Sequence, residues 1–97
     1  ISPEFERALA QVLTHGAKKY GDRNWELGIN YSRVLGAIRR HLNAFTSGER
    51  LDLETGLSHL AHASCCLMFL LTYEERDLLN FNDLPSYRGQ ETGCSRE

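Results

Sequence analysis

Residues 52–73 read DLETGLSHLAHASCCLMFLLTY, and this stretch decides the fold. A helix formed by these residues has no plainly polar face between Leu57 and Tyr73, because apolar side chains occur on all sides of it. Helices that are apolar nearly all round are buried on more than one side. Two carboxylates and two imidazoles stand at the start of the stretch. It therefore predicts a central helix with a polar cluster at its N-terminal end.

The rest of the sequence predicts two more helices before this one. The first runs from Pro3 to Tyr20, since Ser2 is a suitable N-cap and proline is favoured at the first helical position. The second runs from Ser32 to Ser47 and stops at Gly48. The third is expected to begin at Asp52 or Leu53, with Asp52 as its N-cap, and to continue to Asn80. Its predicted partners are thus two amphipathic helices.

The predicted domain organisation is simple. Residues 1–80 form one all-α domain, and residues 81–97 form a loosely docked C-terminal tail. Between the first two helices, Gly21–Asn30 is rich in turn-forming residues and is predicted to be a loop. A bundle of only three helices cannot easily bury all sides of the apolar third helix. We therefore expect a helical bundle completed by homo-oligomerisation, as a homodimer or a homotetramer.

Charge and cysteine content exclude several classes of function. The formal net charge of −2 argues against stable nucleic-acid binding, including binding through an embedded helix-turn-helix. No apolar run approaches the roughly 18 residues of a membrane span. The three cysteines form no CxxC pair, and Cys65 and Cys66 are expected to be small core residues. An odd cysteine count indicates a reducing compartment, so a cytoplasmic protein is expected.

His59 and His62 are the first candidates for chemistry. Their i, i+3 spacing places both on one side of a helix, and Thr55 and Cys66 continue that side. One interpretation is a divalent metal site; the other is a pair of core or interface histidines bonded to neighbouring polar groups. His41, within the apolar stripe of the preceding helix, and Asp52 and Glu54 beside the turn add support for the first interpretation, so that both interpretations stay open.

The identity of such a metal follows from its ligands. His59, His62 and Cys66 suggest zinc by their spacing. Three nearby carboxylates, those of Glu49, Asp52 and Glu54, suit Mg²⁺ or Mn²⁺ with a phosphate-bearing substrate, and a histidine-rich set of ligands favours Mn²⁺ over Mg²⁺. Taken singly, Asp52 is explained as a helix cap, and Glu49 and Glu54 as solvated side chains.

The segment KKYGDRNW, residues 18–25, is the candidate nucleotide-binding element. In this interpretation cationic side chains hold phosphates, while Asn24 and Trp25 recognise the base. In the alternative, lysines at a helix end complement the helix dipole and Trp25 packs into the core. Arg40, beside His41, is a further candidate for phosphate binding, whereas Arg39 is expected to be exposed. The candidate cations are Lys18, Lys19, Arg23 and Arg40.

The combination of GAKKYGDRNW (16–25) with DLETGLSHLAHA (52–63) resembles the phage-type dATP/dGTP diphosphohydrolases, relatives of the MazG-like all-α nucleoside triphosphate pyrophosphohydrolases. The resemblance covers Phe5 to Glu75. It implies a helical, oligomeric enzyme that uses Mg²⁺ or Mn²⁺ to convert purine deoxynucleoside triphosphates to monophosphates. It also implies a possible supply of dGMP to phages whose DNA contains a modified purine.

The sequence departs from the MazG-like pattern of acidic pairs on two helices. Arg40 and His41 occupy the place of the first pair, and His59 and His62 that of the second. We therefore expect Asp52, Glu54, His59 and His62 to hold or orient metal, with Glu49 as a further ligand and His41 at the same centre. The competing hypothesis is a non-catalytic nucleotide-binding or interaction module in which His59, His62 and Cys66 bind structural zinc.

Overall fold

The computed structural model describes residues 1–85, which contain three α-helices joined by loops. Extended pairing within these residues is limited to one bridge between Leu51 and Ser58. The all-α prediction is therefore confirmed for the described part of the chain. Residues 86–97 of the predicted tail, with Cys94, lie outside it. The helices are α1 (Pro3–Tyr20), α2 (Tyr31–Thr46) and α3 (His59–Glu75), and short 3₁₀ turns cover Asn24–Leu27 and Leu79–Phe81.

The bounds of α1 and α2 follow local signals that the sequence carries. The Ser2 hydroxyl accepts a hydrogen bond from the Phe5 N–H, and Pro3 begins α1 as predicted. The predicted bounds of α2 are right to within one residue at each end. Gly48, with φ +100°, follows α2 and donates its N–H to the Phe45 carbonyl. A left-handed residue just after the last turn is a common way to end a helix.

The prediction that the third helix begins at Asp52 or Leu53 and reaches Asn80 is wrong. Helix α3 begins at His59, with Ser58 as its N-cap accepting hydrogen bonds from the Leu60 and Ala61 N–H groups, and it ends at Glu75. Asp52 caps a turn instead, because its Oδ1 accepts from the backbone N–H groups of Glu54 and Thr55. Such turns compete with helix formation.

Helix α3 lies between the other two helices. Toward α1, Ala61 and Cys65 pack against Val12 in one buried cluster. Toward α2, Ala63 packs against Val34 and Ile38 in a second cluster. The prediction of a central helix buried on more than one side is therefore confirmed. Burial raises the pKa of the Cys65 thiol to about 12, consistent with the predicted core role of this cysteine.

The loop between α1 and α2 is attached to the far end of α3. Trp25 stacks on Phe69 with ring centroids 4.7 Å apart, and the fully buried Tyr73 donates its hydroxyl to the Trp25 carbonyl at 2.6 Å. Glu26 accepts a hydrogen bond from Arg76 at 2.9 Å. These contacts fix the loop against the helix that also carries two of the three site histidines.

One stripe of α3 is left uncovered by α1 and α2. Leu60, Leu67 and Leu71 recur at helical spacing and are 45%, 54% and 59% exposed. Despite this apolar character, none of the helices in residues 1–85 combines the length and the hydropathy needed to cross a membrane.

Candidate functional site

The connection between α2 and α3, residues 47–58, folds tightly against the two helix ends. The Glu49 N–H donates to the Ala44 carbonyl, and the His59 N–H donates to the Arg50 carbonyl, both at 3.0 Å. Within the loop the Asp52 N–H donates to the Leu57 carbonyl at 2.8 Å. The loop therefore presents two of its three acidic positions, 49 and 52, to the helix ends with a fixed backbone.

Two buried histidines and a glutamate form a chain of short contacts at this junction. The Nδ1 atoms of His41 and His59 lie 2.9 Å apart, and His59 Nε2 lies 2.7 Å from Glu49 Oε1. With the Nε2–H of His59 donating to the carboxylate, the Nδ1 atom of a neutral His59 is an acceptor. The His41 Nδ1–H then donates to it. The carboxylate thus fixes the tautomer of His59. His41 can bind a metal through Nδ1 only if its proton moves from Nδ1 to Nε2.

Asp52 approaches the same pair of rings from the loop. Its Oδ2 lies 3.7 Å from His41 Nδ1. Burial alone would raise the pKa of this carboxyl. The N–H groups of Glu54 and Thr55, together with the nearby imidazoles, hold the pKa below its usual value. Asp52 is therefore favoured as an anion beside the two imidazoles.

His62 adds a third imidazole next to this pair. Its ring stacks on the His41 ring at a centroid distance of 4.6 Å and an interplanar angle of 6°, and its Nε2 lies 2.8 Å from the Thr55 hydroxyl. Burial lowers the pKa of both His41 and His62, and the two rings face further positive groups. Both imidazoles are consequently held toward the neutral form, which is the form that binds metals and accepts protons.

The structure brings three of the predicted metal-binding side chains close together. Ligand atoms of His41, Asp52 and His59 all lie within 4.8 Å of one another. Glu49 stands behind His59 and does not belong to this group, and His62 is turned toward Thr55. Glu54 is exposed on the loop. The neighbouring Tyr20 side chain raises the pKa of Lys19 at the end of α1, and the charge of Glu54 contributes to the same shift. Cys66 is not part of the convergent group.

Apart from Arg40, the candidate nucleotide-binding residues lie in the last turn of α1 and in the loop that follows it. A pocket of about 270 Å³, here called the Trp25 pocket, lies between the last turns of α1 and the loop that follows. Its lining includes Tyr20, Arg23, Asn24 and Trp25, with Thr14 at one edge. Lys18 and Lys19 are exposed near it and do not line it.

Several of these residues already have partners. Trp25 packs on Phe69, as the core-packing interpretation expected, and still contributes to the pocket wall. Arg23 is paired with Glu26. Arg40 is exposed on α2, as is Arg39, and the charge of Arg40 contributes to the lowered pKa of both His41 and His62. Among the candidate cations, Arg40 is thus the one whose charge acts on the imidazoles of His41 and His62.

Sequence reasoning missed two features of the site. Thr55 was placed on the helix, whereas it lies in the loop and bonds His62. Glu49 was taken as a weak direct ligand, whereas it supports His59 from behind. The Asp-x-x-Thr-Gly pattern of 52–56, typical of a turn, is the signal that could have identified the loop.

Comparisons with known proteins agree with the resemblance noted in the sequence. The profile of a family described as dATP/dGTP diphosphohydrolase, N-terminal, matches residues 1–82. A dATP/dGTP diphosphohydrolase of Salmonella phage PMBT28 is 43% identical over 70 residues, which cover 72% of this chain and 24% of that protein. The chain thus spans about a quarter of the length of this relative. No solved structure matched the chain.

Proposed function

Because this chain belongs to the dATP/dGTP diphosphohydrolase N-terminal family, we propose that it carries a metal-dependent site for the hydrolysis of purine deoxynucleoside triphosphates. The observation that carries the proposal is the convergence of His41, Asp52 and His59 at the junction of α2 and α3. The proposed product is the monophosphate, from dGTP or dATP. In a phage-infected cell such a product would supply dGMP for DNA that contains a modified purine.

The spacing of the three groups fits a divalent cation. For ligands about 2.1 Å from a metal, neighbouring ligand atoms lie about 3.0 Å apart at right angles and about 3.4 Å apart in a tetrahedron. The separations of 2.9 Å and 3.7 Å from His41 Nδ1 to His59 and Asp52 lie close to these values. Two neutral imidazoles and one carboxylate suit Mn²⁺ better than Mg²⁺, which prefers oxygen ligands.

The chain's own residues have distinct roles in this proposal. His41, His59 and Asp52 hold the metal, and Glu49 orients His59 through its Nε2–H, as carboxylates behind metal-binding histidines commonly do. His62, kept neutral by burial, is the candidate to accept a proton from the attacking water. Glu54, exposed two residues beyond Asp52, is proposed as an additional carboxylate for the site.

A bound Mn²⁺ or Mg²⁺ supplies Lewis-acid chemistry, polarising phosphate oxygens and acidifying water. Charge that develops on the phosphate oxygens is proposed to be stabilised by cationic side chains, with Arg40 on the α2 side and Lys18, Lys19 and Arg23 on the α1 side. The Trp25 pocket, with Asn24 and Trp25 in its wall, is the proposed site for the purine. An amide and an aromatic ring together can read a base edge and stack on a base face.

The assembly and location follow from other features. The exposed leucine stripe of α3 supports a homodimer or a homotetramer, because covering it would remove apolar surface from water. The free thiols of Cys65 and Cys66 support a reducing compartment such as the cytoplasm of the bacterial or infected cell. The net charge of −2 supports the absence of stable nucleic-acid binding.

The decisive experiment is hydrolysis of all eight common NTPs and dNTPs by this chain with Mn²⁺ or Mg²⁺, with products separated by chromatography. We expect dGTP or dATP to yield the monophosphate, with activity abolished by a chelator and by His59→Gln. Glu75→Gln, an exposed carboxylate at the end of α3, is the matched control. No turnover of any nucleotide, together with stoichiometric tightly bound zinc in the purified protein, would favour the structural-zinc hypothesis instead.

A further inference from the structure

A second groove lies between α1 and the loop that leads into α3. It has a volume of about 410 Å³. Thr55 and Leu57 line it on the loop side, and one face of α1 forms the other wall. The α1 residues that matter for its chemistry are all exposed and are Arg7, Gln11, Thr14, His15 and Lys18.

The spacing of these residues makes the groove wall a continuous polar stripe. Positions 7, 11, 14 and 18 recur at intervals of three or four residues, so their side chains lie along one face of α1. Arg7 and Lys18 stand about 16 Å apart along the helix axis and mark the two ends of the stripe. Gln11 and Thr14 lie between them and offer hydrogen-bond donors.

The charge of this groove is opposite to that of the chain. The chain has a net charge of −2, whereas the eight residues that line the groove include an arginine, a lysine and a histidine and no acidic residue. Arginine presents a planar fork of donors that matches phosphate oxygens, and lysine adds a compact positive charge. An extended anion is therefore the ligand that this wall fits.

The groove is also connected to the histidine cluster. Thr55, in its loop wall, contacts His62 Nε2 at 2.8 Å, and the His62 ring stacks on His41. Thr14 lines both this groove and the Trp25 pocket, so the two spaces adjoin around α1. A ligand that spans them would have one part beside Trp25 and another beside Thr55.

We propose that this groove binds the polyphosphate chain of the nucleotide, with Arg7 and Lys18 anchoring it at the two ends and His15 contributing from the flank. The inference rests on the proposed function for the identity of the nucleotide. Arg7, Gln11, Thr14 and His15 are thereby added to the residues assigned to substrate binding. The groove's role as an anion site can be tested without catalysis.

The test uses inorganic tripolyphosphate, which lacks a base, titrated into the full chain by calorimetry with chelator present. We expect Arg7→Gln and Lys18→Gln each to weaken binding by about tenfold or more, as for a lost hydrogen bond between charged groups. Arg39→Gln removes the same charge from an exposed position on α2 and should leave binding unchanged. Circular dichroism checks that the variants keep their helices.

Two results would overturn the inference: no binding of tripolyphosphate to the unmodified chain, or equal binding by Arg7→Gln, Lys18→Gln and Arg39→Gln. A groove that binds tripolyphosphate in a chain that hydrolyses no nucleotide would refute the proposed function and leave the anion site standing. If hydrolysis is observed, Arg7→Gln should raise KM with little change in kcat, because uniform binding is lost.

Discussion

Glu49 determines how His59 faces the rest of the site. Its carboxylate lies 2.7 Å from His59 Nε2, and it stands on a loop whose backbone is fixed by hydrogen bonds to the end of α2. A carboxylate in this position holds the imidazole in one tautomer and increases the basicity of the opposite nitrogen. Metal binding by His59 would thus depend on Glu49, a residue that does not itself touch the metal.

Replacing Glu49 should therefore weaken metal binding without removing a metal ligand. We expect Glu49→Gln to reduce the affinity for Mn²⁺ by about 10- to 100-fold, the range typical of lost outer partners. Isothermal titration with Mn²⁺ measures the effect, and Glu75→Gln is the matched control. An affinity equal to that of the unmodified chain would show that Glu49 has no such supporting role.

A second carboxylate, that of Glu26, makes the free energy of unfolding depend on pH. Hydrogen bonds from Arg23 and Arg76 lower the pKa of Glu26 from 4.5 to about 2. Since the folded state binds this proton less readily than the unfolded state, the stabilisation is complete above pH 4.5. It is lost as the pH falls toward 2. Urea unfolding of Glu26→Gln should show a deficit relative to the unmodified chain at pH 6 that shrinks steadily toward pH 3.

The control for this pH dependence is Arg33→Gln, an exposed arginine of α2. Its unfolding free energy should follow that of the unmodified chain at every pH. A deficit in Glu26→Gln that stays constant between pH 6 and pH 3 would contradict the assignment of the ion pairs.

At the scale of elements, the sequence predicted α1 and α2 well and α3 poorly at its start. Ser2, Pro3 and Gly48 are strong local signals, and the helix bounds follow them. Asp52 is an equally good cap by residue type, but its side chain closes a turn, and Ser58 takes the cap role six residues later. Local propensity cannot choose between two competent caps, because tertiary contacts of the intervening loop decide.

The same competition limited prediction of the site. His41, His59 and Asp52 were correctly expected near one another, since all lie within 19 residues around one helix junction. Which carboxylate faces the histidines depends on the path of a loop that periodicity does not describe. The sequence ranked Asp52 and Glu54 above Glu49, whereas in the structure Asp52 lies in the convergent group, Glu49 contacts His59 and Glu54 is exposed.

Gly28 is where the loop after α1 meets the 3₁₀ turn after α3. Its φ of +110° is rarely adopted by other residues, and a Cβ there would overlap the Phe81 ring. We expect Gly28→Ala to lower the free energy of unfolding by about 1–3 kcal/mol or more, measured by urea titration. Gly36→Ala, in α2 with open space around it, should instead stabilise by about 0.5–1 kcal/mol. Equal effects at the two positions would contradict this account.

At the scale of the whole molecule, α3 is the central helix against which both other helices pack. It packs on α1 by one side and on α2 by another, and its remaining stripe of leucines is exposed. The apolar character of the helix sequence already predicted that α1 and α2 would not bury all of its apolar surface. Full burial of one leucine is worth about 1.5–3 kcal/mol, so even partial coverage of three favours association.

Charges placed on this stripe should therefore separate subunits. We expect Leu67→Glu and Leu71→Glu to shift the sedimentation velocity profile from dimer or tetramer to monomer. Leu27→Glu, at a loop position that is 74% exposed, is the matched control and should keep the larger species. A monomeric unmodified chain at micromolar concentration would contradict the proposed self-association.

Trp25 is the only tryptophan of the sequence, and its position makes its fluorescence sensitive to changes in this part of the structure. The indole is pressed against Phe69 while its edge borders a pocket, so its emission responds both to release of the loop and to arrival of a ring beside it. Loosening of the loop would shift the emission to longer wavelength, and a stacked base would quench it. Unfolding and ligand entry can therefore be followed by intrinsic fluorescence, without a label.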